Sequence, residues 1–246
     1  MCGRYVLKSS RAQIARSFDV DPGNLAEFPP SYNVAPQTFQ PVVRLNRDTG
    51  EREVVLMRWG LIPYWSKEAK IGYSTINAKA ETVATSSSFR ESMKRRRCLV
   101  PADAFYEWQK LDAKLKQPFA IALKSGGLYA FAGLWDRWRD PKTKEVLETF
   151  TIITTDANEL VEPLHDRMPV VLEPKDYQRW LTPGDPERLP VDLLRAYPAE
   201  KMKAWKVDSR VGNAKNDEPG LLDPPSSEQP GGRGENDGTE SGPNLS

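Results

Sequence analysis

The chain has 246 residues, of which 39% are hydrophobic and 28% are charged, and its formal net charge at pH 7 is +1. This composition is typical of a soluble globular protein. No apolar run approaches the ~20 residues of a membrane span, and the first residues contain no apolar signal segment, so we expect neither membrane insertion nor secretion.

The periodicity predicts many strands and few helices. A helix at 9–18 has Ser9 or Ser10 as its N-cap and apolar Ile14 and Phe18 four residues apart. Strand-like runs lie at 40–45, 53–59, 98–100, 119–123, 128–135 and 149–154, and turn-forming residues at 46–50 join the first two. Further helical patterns lie at 81–95, 158–164 and 175–181. This order predicts an α+β fold, a single domain with a β-rich core and short helices.

The charge is distributed unevenly along the chain. Residues 216–246 contain seven acids and one base, while the preceding residues contain 34 bases and 27 acids, a net charge of +7. The last segment is rich in Pro, Gly and Ser and has too little apolar surface to order itself. We therefore expect a folded domain at 1–215 and a disordered acidic tail at 216–246. The basic domain suits a polyanionic partner, although such a charge is also ordinary for a domain of this size.

Cysteine and histidine are scarce in this chain. It contains two cysteines, Cys2 and Cys98, and one histidine, His165. These residues form neither a disulfide framework nor a zinc-binding pattern. We expect a reducing compartment, no metal and no other cofactor.

Cys2 directly follows the initiator methionine. If Met1 is removed, Cys2 carries an α-amine with a reference pKa of about 7.7–8.0 and a thiol with a reference pKa of about 8.5. Such a pair traps aldehydes, because the amine forms a Schiff base and the thiol then closes a thiazolidine ring. Taken alone, a cysteine near a terminus is more often incidental.

Glu107 lies among Phe105, Tyr106 and Trp108 after an apolar strand. If these aromatic side chains pack around it, desolvation raises the pKa of the carboxyl group and suits it to proton transfer. Strand alternation alone favours the other reading, in which Glu107 is exposed.

His165 and Asn77 are further candidates. Histidine exchanges protons near pH 7, and Asp166 either orients the ring or caps the next turn, although a lone histidine is more often structural or exposed. Asn77 can donate to an oxygen that gains negative charge or to a phosphate. The local sequence favours a simpler role for Asn77 as a cap of the predicted helix after it.

Basic and aromatic residues form a second group of candidates. Arg4, Lys79, Arg90 and the basic run 94–97 are candidate phosphate contacts, and the alternative for the run is a solvated helix face. Trp59, Tyr64 and Trp65 can stack on an unpaired base or pack in the core. Only for Trp65, in the loop sequence Pro-Tyr-Trp at 63–65, do we favour stacking on a base over packing in the core.

Six segments in order resemble the SOS response-associated peptidase (SRAP) family over residues from Cys2 to about Trp205. They read Met-Cys-Gly-Arg-Tyr at 1–5, Tyr-Asn-Val-Ala-Pro at 32–36, Arg-Trp-Gly-Leu-Ile-Pro at 58–63, Ile-Asn-Ala-Lys-Ala-Glu-Thr at 76–82, Phe-Tyr-Glu-Trp at 105–108 and Leu-His-Asp-Arg-Met-Pro at 164–169. Any one of these motifs alone is a weak signal, whereas six in the same order are specific.

The resemblance implies a protein that recognises abasic sites in single-stranded DNA, crosslinks to them through Cys2 and shields them. It implies that Asn77 positions the sugar or the adjacent phosphate, that Glu107 transfers protons, and that His165 aids ring opening and Schiff-base formation. It further implies a basic DNA-binding groove, phosphate binding by Arg4 and a place for Asn33 in the pocket. The family name also implies a peptidase step that removes Met1, and the expected location is the cytoplasm or nucleoid of a bacterium or the nucleus of a eukaryote.

Two positions depart from the pattern. Lys79 replaces an arginine of many relatives, which keeps the charge but loses the bidentate fork. Residues 86–88 are serines where an arginine is common in relatives, and Arg90 is the candidate substitute. Two other functions remain open at this stage: a glutaminase or amidohydrolase with Cys2 as N-terminal nucleophile, and a non-covalent binder of single strands.

Overall fold

The computed structural model describes residues 2–112 and 115–225, and over these residues the chain forms thirteen strands and three α-helices. The strands are β1 (Tyr5–Leu7), β2 (Ser31–Val34), β3 (Phe39–Leu45), β4 (Arg52–Trp59), β5 (Asn77–Lys79), β6 (Arg97–Ala102), β7 (Ala104–Lys110), β8 (Lys116–Leu123), β9 (Tyr129–Arg139), β10 (Val146–Asp156), β11 (Arg167–Pro169), β12 (Val171–Leu172) and β13 (Met202–Lys206). The helices are α1 (Arg11–Phe18), α2 (Arg90–Arg95) and α3 (Tyr177–Leu181). The predicted α+β class is confirmed.

The strands form two sheets. One has the order β13-β8-β7-β1-β2, and the other has the order β11-β10-β4-β3-β6-β9-β12, with β5 beside β10. β1 lies between β2 and β7, with Tyr5 opposite Val34 on one side and Phe105 on the other. The start of the chain is therefore held against the middle of a sheet.

Aromatic side chains from both sheets meet in one core. The ring of Tyr5 lies 5.3 Å from that of Trp59 and 5.9 Å from that of Phe131, and Phe105 contacts Phe131 at 6.1 Å, each pair edge to face. All four side chains are fully buried. Complete burial of a large apolar side chain contributes roughly 1.5–3 kcal/mol, so this cluster fixes β1 firmly against β7 and β9.

The predicted strands are confirmed, and so is the first helix. In α1 the Ser10 hydroxyl accepts from the Gln13 amide while the Gln13 side chain accepts from the Ser10 amide, which forms a capping box and identifies Ser10 as the N-cap. Ile14 and Phe18 are buried, as their spacing predicts.

The helix predicted at 81–95 is wrong over most of its length, and so is the one at 158–164. Only Arg90–Arg95 is helical, and the residues before it form turns. That segment contains threonines and consecutive serines, whose side chains compete for backbone hydrogen bonds. Residues 159–164 also form turns, and Pro163 has no amide hydrogen to continue a helix.

Gly60 makes the sharp turn that ends β4. Its φ is +119°, and a Cβ atom there would lie 2.3 Å from the Gly72 carbonyl oxygen. Its amide donates to the Phe150 carbonyl on β10. Only glycine fits this backbone conformation and this close approach, which set the path of the following loop 61–76.

The first ten residues of the segment predicted to be a tail lie within the described residues. Residues 216–225 are ordered against the domain: Pro219–Leu222 forms a 3-10 turn, Leu221 is fully buried, and the Trp205 indole donates to the Leu222 carbonyl. Two leucines supply the apolar surface that the composition of the segment obscures. The rest of the predicted tail, 226–246, lies outside the described residues.

Over the described part of the chain, no helix has the length and apolar character that a membrane span requires. Within the same residues, no group of three or more His, Cys, Asp and Glu side chains is placed to hold a metal ion.

Candidate active site at the start of the chain

Cys2 is completely buried in the core just before β1. Burial raises the pKa of its thiol far above the ordinary value, and the nearby charge of Glu107 raises it further. The N-terminal amine and the Arg4 backbone amide oppose this rise in pKa. The thiol is therefore neutral at rest and needs assistance to lose its proton.

Glu107 lies on β7 beside Cys2, with only 3% of its surface exposed. Desolvation raises the pKa of the carboxyl group to about 7, and the positive N-terminal amine opposes the rise. The structure thus favours the buried reading of Glu107 over the exposed one. A carboxyl group with this pKa both accepts and donates protons near neutrality.

His165 lies in the turn between β10 and β11 and is partly buried. Its Nδ1 accepts from the Arg167 backbone amide at 3.0 Å and lies 2.7 Å from the Asp166 carboxylate. Burial lowers the pKa of the imidazole, as does the N-terminal amine, while Asp166 opposes them. The amide contact places the proton of the neutral ring on Nε2, and protonation of Nδ1 exchanges this contact for an ion pair with Asp166.

The three titratable groups converge on the start of the chain. Glu107 acts electrostatically on the Cys2 thiol, and Asp166, which lies 2.7 Å from His165 Nδ1, acts on Glu107. Cys2 precedes β1, Glu107 lies on β7, and His165 lies in the β10–β11 turn. The structure therefore brings together a thiol, a carboxyl group and an imidazole that lie far apart in sequence.

Asn77 begins β5, opposite Ile152 of β10, and does not cap a helix. Its Nδ2 donates to the Ile76 carbonyl at 3.0 Å, while its buried Oδ1 has no hydrogen-bond partner among the described residues. Asn77 therefore has an acceptor oxygen available for a ligand, while its amide nitrogen is bound to the carbonyl of the preceding residue.

An ion-pair network that the sequence analysis missed joins the segment after Asn77 to the turn that carries His165. Arg167 makes a bidentate ion pair with Glu81 at 2.8 and 2.9 Å and also binds the Asp156 carboxylate and the Thr154 carbonyl. Glu81 and Arg167 belong to two of the motifs quoted above, which was the available signal. Their opposite charges, 86 residues apart, become a pair only in the fold.

Arg4 and Asn33, the predicted DNA contacts from the first two motifs, both have partners within the domain. Arg4 donates to the Asn33 side chain and to the Val211 and Gly212 carbonyls. The Asn33 amide donates to the carbonyls of Val211, Asn213 and Asn216 at 2.8–3.1 Å. Both residues fasten the segment 211–216 across the domain, because irregular backbone needs side-chain donors where no strand supplies them.

The basic candidates separate into exposed and internal groups. Lys79 and Arg90 are exposed, and so is Arg95. Arg97 is buried and donates to the carbonyls of Met93, Trp180 and Thr182, and Arg96 pairs with Asp136. The run at 94–97 is thus not one basic face.

Exposed aromatic side chains follow the Gly60 turn. Trp65 is 49% exposed, Tyr64 is 55% exposed and Tyr73 is 72% exposed, whereas Trp59 is buried in the core. The loop is held by hydrogen bonds: the Tyr64 amide donates to Asp136, and the Trp65 indole donates to the Ser87 carbonyl at 3.3 Å. Rigid, exposed aromatic rings of this kind suit stacking on unpaired bases.

This fold and site define an α+β protein with a thiol, a carboxyl group and an imidazole gathered around its first residues. The chain matches the family model described as SOS response associated peptidase (SRAP) over residues 1–214, and it belongs to that family.

Curated relatives and solved structures agree with this assignment. The chain is 46% identical over 226 residues to the abasic site processing protein YoqW of Bacillus subtilis, covering 91% of this chain and 99% of that protein. It is 34% identical over 264 residues to the abasic site processing protein HMCES of Gallus gallus, covering 91% and 78%. A crystal structure of a protein from Bacteroides thetaiotaomicron superposes with a TM-score of 0.79 at 28% identity, covering 91% of this chain and all of that one.

Proposed function

We propose that this protein processes abasic sites, and that it does so by forming a thiazolidine crosslink through Cys2 with abasic sites in single-stranded DNA. Its relatives YoqW and HMCES are named abasic site processing proteins. The single observation that supports the chemistry is the grouping of Cys2, Glu107 and the His165 turn in one region, where Glu107 acts on the Cys2 thiol and Asp166 acts on Glu107. Removal of Met1 gives Cys2 a free α-amine.

The first steps form a Schiff base. The abasic sugar opens as its C1 hydroxyl loses a proton to water and its ring oxygen takes one up from water, while neutral His165 donates a hydrogen bond from Nε2 to that ring oxygen. The Cys2 amine attacks the aldehyde carbon, and Glu107 accepts a proton from the nitrogen. The protonated Glu107 returns this proton to the former carbonyl oxygen, which gives a carbinolamine, and the second nitrogen proton then passes through Glu107 to the new hydroxyl group, which leaves as water.

Ring closure follows. The Cys2 sulfur forms a bond to the imine carbon, the π electrons of the imine move to nitrogen, and the thiol proton passes through Glu107 to that nitrogen. The product keeps every atom of the imine and the thiol. Because the aldehyde is consumed, the group that drives β-elimination is lost and the strand is protected.

The exposed face around Trp65 is the proposed DNA contact, with Lys79 and Arg90 as phosphate partners. Arg4 and Asn33 hold the segment 211–216 in place and thereby fix β1 and Cys2. We assign them this supporting role in addition to the phosphate contact expected of Arg4.

Removal of Met1 is the second part of the proposal. In this proposal Glu107 and the Cys2 thiol assist hydrolysis of the Met1–Cys2 peptide bond, which consumes one water and releases one methionine. Translation in a reconstituted system without methionine aminopeptidase should give protein lacking Met1, and Glu107→Gln should retain it. Retention in the parent protein as well would show that cleavage requires another enzyme.

The decisive test is crosslinking to an abasic oligonucleotide. Parent protein, Cys2→Ala and Cys98→Ala are incubated with uracil-containing single-stranded DNA and uracil glycosylase, and the products are separated on a denaturing gel. We expect a stable band from the parent and from the control Cys98→Ala, which loses the other buried cysteine. Cys2→Ala should give only a product that requires borohydride trapping, because it keeps an amine without a thiol.

Intact mass completes the test. The parent should lack Met1, and the adduct should equal protein plus abasic oligonucleotide minus one water. Salt-sensitive binding without any covalent product would replace the proposal with non-covalent recognition. Release of ammonia from glutamine, with no adduct, would favour an amidohydrolase.

A further inference from the structure

Two buried tyrosine hydroxyls have no hydrogen-bond partner among the described residues: those of Tyr5 and Tyr129. Both side chains are almost fully buried, with 0% and 2% of their surface exposed. By contrast, the buried Tyr106 hydroxyl donates to the Tyr32 carbonyl at 2.8 Å. An unsatisfied buried hydroxyl destabilises a fold, so two in one core indicate a role beyond packing.

The two tyrosines flank one aromatic ring. Tyr5 and Tyr129 each contact Phe131 edge to face, with centroids 5.9 and 5.5 Å apart. Tyr5 lies on β1, three residues after Cys2, and Tyr129 begins β9 opposite Ala102. They therefore approach the same region of the core from different sheets.

Cys2 shares this region and interacts with both tyrosines. Burial raises the pKa of Tyr5 and of Tyr129, and the charge on Cys2 raises each of them further. The cysteine itself belongs to the same hydrophobic cluster. The two open donors and the reacting sulfur thus occupy one water-poor space, where a hydrogen bond to a charged atom is strongest.

We propose that the hydroxyl groups of Tyr5 and Tyr129 donate hydrogen bonds to the Cys2 sulfur as it loses its proton, and so serve as catalytic residues for thiazolidine closure. This inference rests on the function proposed above. The thiol proton still passes to the imine nitrogen, and both tyrosines keep their own protons. Their donation stabilises the negative charge on sulfur until the carbon–sulfur bond consumes it.

Other charged groups act on the same space. Glu107 on β7 and the N-terminal amine act directly on Cys2, and Asp103, between β6 and β7, acts on Tyr129. Asp166 acts on Glu107 from the histidine turn. Any pH profile of the sulfur reflects all of these groups, so the test compares variants that leave each of them in place.

The experiment uses Tyr5→Phe, Tyr129→Phe and the double variant, with Tyr106→Phe as the matched control. Schiff-base formation is measured by borohydride trapping and ring closure by the denaturing-gel band, each as a function of pH. We expect normal trapping, closure slowed by about tenfold or more in the double variant, which corresponds to about 1.4 kcal/mol for the two donors together, and a closure profile displaced to higher pH. Because phenylalanine removes an unpaired hydroxyl, thermal stability should be kept or raised, whereas Tyr106→Phe should lower it.

Unchanged closure and pH profile in the double variant would overturn the inference. A second measurement makes the test independent of DNA: the rate at which methyl methanethiosulfonate modifies Cys2 across pH, in a Cys98→Ala background. The double variant should require a higher pH for the same rate, and an identical profile would contradict the role of the tyrosines. If the parent forms no crosslink while this profile shifts, the proposed function and the catalytic role in ring closure both fail, and only the hydrogen bonds from the tyrosines to the Cys2 sulfur stand.

Discussion

Glu107→Gln should remove the part of the pH dependence of the unfolding free energy that comes from this buried carboxyl group. The pKa of Glu107 rises from 4.5 to about 7 because the carboxyl group is buried. The folded state therefore disfavours the charged form, and stability that is fully present below pH 4.5 is lost as the pH rises through 7. At about 1.4 kcal/mol for each pKa unit, this loss is about 3 kcal/mol.

Urea unfolding at pH 4.5, 6 and 8 measures this loss. The parent protein should lose about 3 kcal/mol relative to Glu107→Gln between the first and last pH, and the difference should close at acid pH. His165, whose lowered pKa has the opposite effect as the pH falls, is common to both proteins and cancels in the comparison. Exposed Glu159→Gln is the matched control and should follow the parent.

The same variant should lose crosslinking. Glutamine has the shape of glutamate but moves no protons, and loss of general acid–base catalysis typically costs 10²–10⁴-fold in rate. If the unfolding free energies of the parent and of Glu107→Gln change with pH in parallel, the pKa of Glu107 is not raised in the folded protein. Full crosslinking by a variant with the expected stability curve would show that proton transfer is performed elsewhere.

Three further changes test the framework around the site. Gly60→Ala should lower the free energy of unfolding by more than 3 kcal/mol in urea titration, because its Cβ would lie 2.3 Å from the Gly72 carbonyl, whereas Gly50→Ala, with open space around it, should cost about 1 kcal/mol. Asn33→Ala should cost about 2–4 kcal/mol and speed hydrogen exchange at 211–216, since three carbonyls lose their donor. Trp65→Ala should weaken single-stranded DNA binding by about tenfold in fluorescence anisotropy, with the melting temperature unchanged, because the ring is half exposed and stacking contributes about 1–3 kcal/mol per base.

Each of these expectations has a contrary result. If Gly60→Ala and Gly50→Ala lower the free energy of unfolding equally, the close approach of Gly60 to the Gly72 carbonyl does not restrict that position to glycine. Exchange at 211–216 that is unaffected by Asn33→Ala would show that the segment is held by other contacts. Unaltered DNA affinity of Trp65→Ala would place the nucleic acid on another face.

The sequence by itself determines those elements whose signals lie within a few neighbouring residues. The β3–β4 hairpin and the α1 cap follow from apolar alternation, turn residues and the Ser10–Gln13 pair, and these signals lie within a few residues of one another. The aldehyde-trapping potential of Cys2 is also a property of its position in the chain. These features require no knowledge of distant segments.

Only the tertiary structure decides which polar groups are buried and with whom. Alternation along β7 favours an exposed Glu107, but β7 lies between β1 and β8 and both of its faces are covered, so the carboxyl group is desolvated. Arg4 and Asn33 are residue types that often contact DNA, and the fold also binds them to the segment 211–216, almost two hundred residues away. The open hydroxyls of Tyr5 and Tyr129 are invisible in sequence, because whether a donor is satisfied depends on long-range packing.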